Sequence, residues 1–402
     1  MIPVCEPFLN GNELKYVTEA IKTNWVSSLS PKVKEFENLF AMWLYGVKEF
    51  DEGRAHATST TNGTTALNLA LHTLKIGGNY GGSFDDEVII PDFTMIAVPN
   101  SVHWAGAKLV LCDVSYYDFR LKYDDVEKLI TKNTKAIICT HTYGIPDDMD
   151  KLLELCRKYD LKLIEDCAEG LGATYDGKKI GIFGDISIFS FYANKVITTG
   201  EGGMLCSKDK RLVERAFYLK NHTFCKDRHF WHTEVGHNMR MTGLQAALGL
   251  AQLENIDKHI QKKRENARIY TEQLSPFFEK LNKEWKENNI EPYQLMPSIK
   301  GAVYWMYGVK VPFKQIVRDK LKEKGIETRS YFIPVHLQKP YLIKGEFYSS
   351  TKLYQDGFYL PSGIGLTKAQ IKKVCDILKE IINRVNKNGK IKSTYRGTSK
   401  NC

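Results

Sequence analysis

In the stretch "SIFSFYANKVITTGEGGML", Lys195 stands between an apolar run and a turn rich in threonine and glycine. Burial or neighbouring positive charge lets a lysine shed its proton and attack carbonyl groups. A lysine on a turn is equally at home as a solvated surface residue, so the position alone fits both roles. Upstream, "LKLIEDCAEGLGA" ends an apolar run in Glu165 and Asp166, at the carboxyl edge where open parallel sheets bind ligands. Strand alternation turns one of these acids inward and the other outward, and the outward one can pair with a cation or cap a helix. Farther upstream, "TSTTNGTTALNLALHTL" passes through Asn62-Gly63-Thr64-Thr65 into an apolar-periodic helix. A helix start offers unpaired N–H groups and the positive end of the dipole, and Thr64 and Thr65 add hydroxyls, which together make a phosphate site. Asn and Thr are also ordinary helix caps. In chain order, an anion cradle, an acid ending a strand and a lysine beyond Ser190 form the set that holds pyridoxal 5'-phosphate.

The elements that must position these residues follow a regular rhythm from about residue 55 to 255. The strand candidates are "DEVIIP", "AKLVLCDV", "KAIICTH", "LKLIED", "DISIFSF" and "GGMLCS", most of them apolar throughout, as strands covered on both faces must be. Helical patterns lie between them, including "VPNSVHWAG" and "DMDKLLELCRKYD", the latter with Met149, Leu152, Leu153 and Cys156 on one face. This predicts an α/β fold with a mostly parallel sheet. The loop between "SIFSF" and "GGMLCS" has no room for a helix, so these two strands should run antiparallel. Beyond Glu254 a long charged helix leads into mixed strand and helix signals. The expected organisation is a large cofactor-binding domain over 1–255, a smaller α+β domain over 256–388, and a basic, disordered tail over 389–402. "GGNYGGSFDD" reads as a flexible surface loop, and without an adjoining Gly-Lys-Ser/Thr it is no phosphate loop.

Composition narrows the class. The 402 residues are 43% hydrophobic and 26% charged, ordinary values for a chain with a sizeable core. The net charge of +10 is concentrated partly in the tail and comes with no nucleic-acid motif, so a solvated surface and an anionic small-molecule substrate account for it. Nine scattered cysteines, with no C-x-x-C pair, predict reduced thiols in the cytoplasm and no metal site. No apolar run approaches the ~18 residues of a membrane span, and no secretory signal is expected.

Longer motifs carry a resemblance. "NWVSS", "NGTTALNLAL", "HTYG", "EDCAEGLGA", "GIFGDISIFSFYANKVITTGEGGML", "GHNMRMTGLQAALGLAQL" and "IPVH" resemble the nucleotide-sugar aminotransferases of the DegT/DnrJ/EryC1/StrS family over about residues 1 to 385. The likeness is strongest to the branch that forms GDP-linked 4-amino-4,6-dideoxy-D-mannose. The resemblance implies an aspartate-aminotransferase-like architecture (fold type I of the pyridoxal phosphate enzymes) and a homodimer with shared active sites. It makes Lys195 the lysine that anchors the cofactor, Asp166 the partner of its ring nitrogen and Glu169 a contact on its phenolic side. Gly63, Thr64 and Ser190 match phosphate contacts, Asn238 matches a contact from the neighbouring subunit, and Arg329 and His336 match a region near the sugar nucleotide. Met95 stands where relatives stack an aromatic ring, and a thioether can pack there as well. The implied reaction moves an amino group from L-glutamate to a nucleotide-linked 4-keto-6-deoxyhexose. Alternatives are a UDP- or dTDP-linked 4-amino-4,6-dideoxyglucose product, or a cofactor-binding regulator without catalysis.

Overall fold

The computed structural model describes residues 1–48, 55–225, 227–228, 230–286 and 293–387, so the basic tail lies outside the described residues. Seven strands form the main sheet: β1 (His56–Thr60), β2 (Glu87–Pro91), β3 (Lys108–Cys112), β4 (Thr134–Thr140), β5 (Lys162–Asp166), β8 (Ile186–Ser190) and β9 (Gly203–Ser207). A small hairpin, β6 (Thr174–Tyr175) and β7 (Lys178–Lys179), lies outside it. The sheet order is β1-β9-β8-β5-β4-β2-β3. Strands β3, β2, β4, β5 and β8 are parallel, and β9 runs antiparallel to both neighbours, as the short loop after β8 demands.

Adjacent apolar residues in the central strands divide between the two faces. Ile90, Ile138 and Ile164 pack with Leu67 and Leu71 of the helix Gly63–Thr73. Their neighbours Ile89, Ile137 and Leu163 pack with Met149, Leu152 and Cys156 of the helix Met149–Tyr159. Both faces are covered, so the strands must be apolar throughout rather than alternating. Burial of each such side chain contributes about 1.5–3 kcal/mol. On the second helix Leu155 is buried and Leu153 only half-buried, a small rotation from the expected face.

Strand β1 escapes the apolar pattern altogether, because "HATST" is buried yet mostly polar. Its polar groups are met by an internal ion pair. Glu37 accepts the Ser59 N–H at 2.8 Å and the Ser59 hydroxyl at 2.9 Å, while the Lys220 ammonium donates to the Ser59 carbonyl and lies 3.2 Å from Glu37. The loop expected to be flexible is pinned instead. Asp86 accepts the N–H groups of Gly77 and Ser83, and Tyr80 stacks on His72 at 4.2 Å.

The C-terminal part carries an antiparallel sheet in the order β10 (Gln294–Leu295), β11 (Tyr307–Lys310), β13 (Gly357–Leu360), β12 (Arg329–Ser330). The long helix Ile256–Lys286 and the closing helix Lys368–Lys387 pack together against it. The chain's beginning joins this part: the Ile2 N–H donates to the Gly325 carbonyl, and the Glu327 N–H donates to the Ile2 carbonyl. Among the described residues no helix is long and apolar enough to cross a membrane.

Candidate active site

A cavity of about 450 Å³ opens at the carboxyl ends of β4, β5 and β8, which supply Thr140, Asp166 and Ser190 to its wall. The C-terminal part closes it with Trp305, Arg329, Phe332 and Tyr359. Of the residues singled out by sequence, Gly63, Thr64, Met95, Asp166, Glu169, Ser190, Lys195 and Arg329 all line this one cavity. They come from seven separate points along the chain, and parallel strands ending on one edge bring most of them together.

One end is built for an anion. Asn62 caps the helix Gly63–Thr73 by accepting the Thr65 N–H at 2.9 Å, and the Thr65 hydroxyl returns the favour by accepting the Asn62 N–H. That reciprocal cap uses Thr65 locally and leaves Gly63 and Thr64 on the cavity wall. Gly63 is required by the close approach of β8, since a Cβ there would lie 2.7 Å from Ser190 Cβ and 3.2 Å from its Oγ. Gly63→Ala therefore pushes the helix start off Ser190. We expect a loss of about 1–3 kcal/mol in denaturant unfolding, the usual cost of overpacking, and weaker binding of the cofactor phosphate in an absorbance titration. Wild-type stability together with wild-type cofactor affinity would remove Gly63 from the cradle.

The two adjacent acids of β5 divide their labour. Glu165 is fully buried and accepts N–H bonds from Gly181, Phe183 and Gly184 at 2.7 Å each, tying down the loop before β8. Its neighbour His141, 3.4 Å away, accepts the Asp147 N–H through Nδ1. Asp166 points the other way, into the cavity, where its Oδ1 accepts the Ala168 N–H at 2.9 Å. Burial raises its pKa, against the opposing pull of that N–H, Lys195 and His141. Glu169 accepts the Tyr143 N–H at 2.8 Å, and burial pushes its carboxyl up to about 7 despite nearby Lys195.

Lys195 sits on a tight turn after β8, its N–H donating to the Tyr192 carbonyl at 2.9 Å. Its Nζ lies 3.9 Å from the centre of the Trp305 ring. Burial lowers its pKa, while Glu169 and Asp166 pull it back up. A lysine of lowered pKa between two carboxyl groups is suited to covalent attachment and to carrying protons.

Two expected residues stand apart from the wall. Asn238 is exposed, bridges Asn221 and accepts from Arg240 Nε at 3.0 Å. His336 holds Asp92 through both Nδ1, at 2.7 Å, and its backbone N–H, at 2.9 Å, and stacks on Phe347. Conversely, Trp305 and Tyr359 reach the cavity from more than a hundred residues downstream of Lys195, and nothing local in "YWMYG" or "GFYLP" marks them. Met95 is half-exposed, and its Sδ accepts the Ala97 N–H at 3.0 Å.

These groups fit pyridoxal 5'-phosphate: a helix start kept open by glycine for the phosphate, Asp166 for the ring nitrogen and Lys195 for the carbonyl. Comparison with known proteins agrees. Residues 7–379 match the DegT/DnrJ/EryC1/StrS aminotransferase family. The chain is 40% identical over 389 residues to the GDP-perosamine synthase of Caulobacter vibrioides, covering 95% of this chain and 98% of that protein. It is 38% identical over 393 residues to the GDP-perosamine synthase of Vibrio cholerae, covering 95% and 100%. The crystal structure of the aminotransferase TlmJ from Streptoalloteichus hindustanus superposes with a TM-score of 0.85 at 26% identity, over 96% of this chain and all of that one. With the family's pattern spanning nearly the whole sequence and its chemistry gathered in one cavity, the chain belongs to the DegT/DnrJ/EryC1/StrS aminotransferase family.

Proposed function

We propose that this protein is a pyridoxal phosphate-dependent aminotransferase that converts GDP-4-keto-6-deoxy-D-mannose to GDP-perosamine, with L-glutamate as amino donor. The observation that carries the chemistry is the convergence of Lys195, Asp166 and the Gly63 helix start on one cavity. The choice of nucleotide and sugar rests on the 38–40% identity to GDP-perosamine synthases over nearly the full chain.

The cofactor, when bound, supplies a carbonyl that accepts and returns the amino group and a ring that takes up electrons. The protein's part is to hold and to move protons. Gly63, Thr64 and Ser190 would hold the phosphate, and the Asp166 carboxylate would keep a proton on the ring nitrogen. Glu169, with its raised pKa, is poised to hold a proton on the phenolic side near neutral pH. Lys195 would anchor the cofactor and, with its amine free, would hold and move the proton between the two reacting carbons. We further propose a cytoplasmic homodimer in which Asn238, exposed in one subunit, reaches the phosphate of the other, with Arg329 and the His336 segment near the sugar nucleotide.

The test offers GDP-4-keto-6-deoxy-D-mannose, UDP-4-keto-6-deoxyglucose and dTDP-4-keto-6-deoxyglucose separately with L-glutamate. Turnover should favour the GDP substrate by roughly 10²-fold, the scale of a few lost hydrogen bonds to the base and sugar. Equal rates on all three would overturn the assignment. A reconstituted protein with no visible absorbance would overturn the aminotransferase reading itself.

A further inference from the structure

Trp305 has no role in the chemistry described so far, yet three contacts converge on it. Its indole Nε1–H donates to the Asn194 carbonyl at 2.8 Å, one residue before Lys195. Its ring face lies 3.9 Å from the Lys195 ammonium. Its own carbonyl accepts from Lys263 Nζ at 2.9 Å, and the same ammonium donates to the Ser362 carbonyl at 2.6 Å. Lys263 is 1% exposed and Trp305 4%. A buried ammonium aimed at backbone carbonyls is an expensive way to hold a loop, and here it fixes the height of one indole over one lysine. Tyr143, whose N–H serves Glu169, lies nearly parallel to the indole with ring centroids 6.4 Å apart.

We infer that Trp305 is a positioning residue for Lys195: its N–H fixes the turn that carries the lysine, and its ring face holds the amine while it is free and protonated. The role in turnover rests on the aminotransferase reading above. The physical basis is independent of it. Burial works against a charged lysine, and an aromatic face beside it restores part of what water would have given. The carboxyl groups of Asp166 and Glu169 and the Cys5 thiol also favour the ammonium, and the Lys263 charge opposes it. Arg329 and Tyr359 line the same cavity. Trp305 has no ionisable group, so removing it changes the lysine without changing the site's net charge.

The test uses full-length protein in two forms. In the cofactor-free chain, acetylation of Lys195 is followed against pH by peptide mass spectrometry. Trp305→Leu removes the ring face, and the labelling midpoint should fall by about one pH unit, a tenfold rise in the neutral amine at a given pH. Trp305→Phe keeps an aromatic face and should move the midpoint by less than half as much. In the holoenzyme, Trp305→Phe loses the bond to Asn194, and kcat should fall about five- to tenfold with the KM for L-glutamate within about twofold. The acid limb of the kcat profile should move in step with the labelling midpoint. An unchanged midpoint in Trp305→Leu would overturn the inference. Should that variant fail to fold by thermal melting, Trp305→Phe decides: wild-type kcat and wild-type midpoint together overturn it. Absent turnover in the wild type would strike the aminotransferase reading and leave the labelling result to judge Trp305.

Discussion

Lys195→Ala should abolish transamination, with a fall in turnover on the order of 10⁴-fold, while the protein still binds its cofactor. Three observations set that size. The amine sits on a turn fixed by the Tyr192 carbonyl, faces the same cavity as Asp166 and Glu169, and has its pKa lowered by burial. A base held at the reacting atoms contributes roughly 10²–10⁴-fold, and under the proposed function the same group is also the covalent anchor. The phosphate cradle at Gly63 and Ser190 does not involve Lys195, so cofactor affinity should fall far less than turnover. Absorbance separates the two: the variant should show bound cofactor that borohydride treatment fails to fix covalently to the chain, while stopped-flow traces with L-glutamate show no return of free enzyme. Adding a small primary amine should recover part of the rate, because the missing group is a base and the cavity has the volume for it. Residual turnover within tenfold of wild type would remove Lys195 from both roles.

How much of this could be read from the sequence depends on how local each signal is. The parallel strands announce themselves because both faces are covered, and Ile89 and Ile90, or Ile137 and Ile138, report on opposite faces within two residues. Strand β1 does not, because "HATST" is made tolerable in the interior by Glu37 and Lys220, which lie in distant parts of the chain. The pair Glu165-Asp166 shows the same limit at finer scale. Alternation says that one acid faces inward, but only the loop N–H groups at Gly181, Phe183 and Gly184 decide that it is Glu165. Thr65 looked like a phosphate donor by type and proved to be half of a reciprocal cap, a distinction set by side-chain rotation and not by residue identity. Trp305 and Tyr359 were invisible for a different reason: aromatic residues in a short β segment are commonplace core formers, and their place in the cavity is a consequence of how the C-terminal part docks.

Asp166→Asn should lower turnover by about 10²–10⁴-fold, equivalent to roughly 3–5 kcal/mol, the cost of leaving a buried charge without its partner. The substitution keeps the shape and the oxygen that accepts the Ala168 N–H, so it removes charge and little else. Without the carboxylate, nothing at the end of β5 holds a proton on the ring nitrogen of the cofactor. Lys195 also loses one of the two carboxyl groups that oppose its burial, so its pKa should drop further. Stability of the cofactor-free chain should move the other way. Burial raises the Asp166 pKa above its unfolded value, so the folded chain holds this proton where the unfolded chain has already released it. The stabilising contribution is complete below the unfolded pKa, near 3.9, and is lost as pH rises through the raised folded value. Asparagine has no such proton to lose. At neutral pH the cofactor-free variant should therefore melt at or above the wild-type temperature, and the advantage should vanish toward about pH 4. Adding cofactor should reverse the order, since only the wild type gains the charge pair. A variant that is destabilised without cofactor at neutral pH and normal in turnover would mean that Asp166 serves the fold, as Glu165 does, and not the reaction.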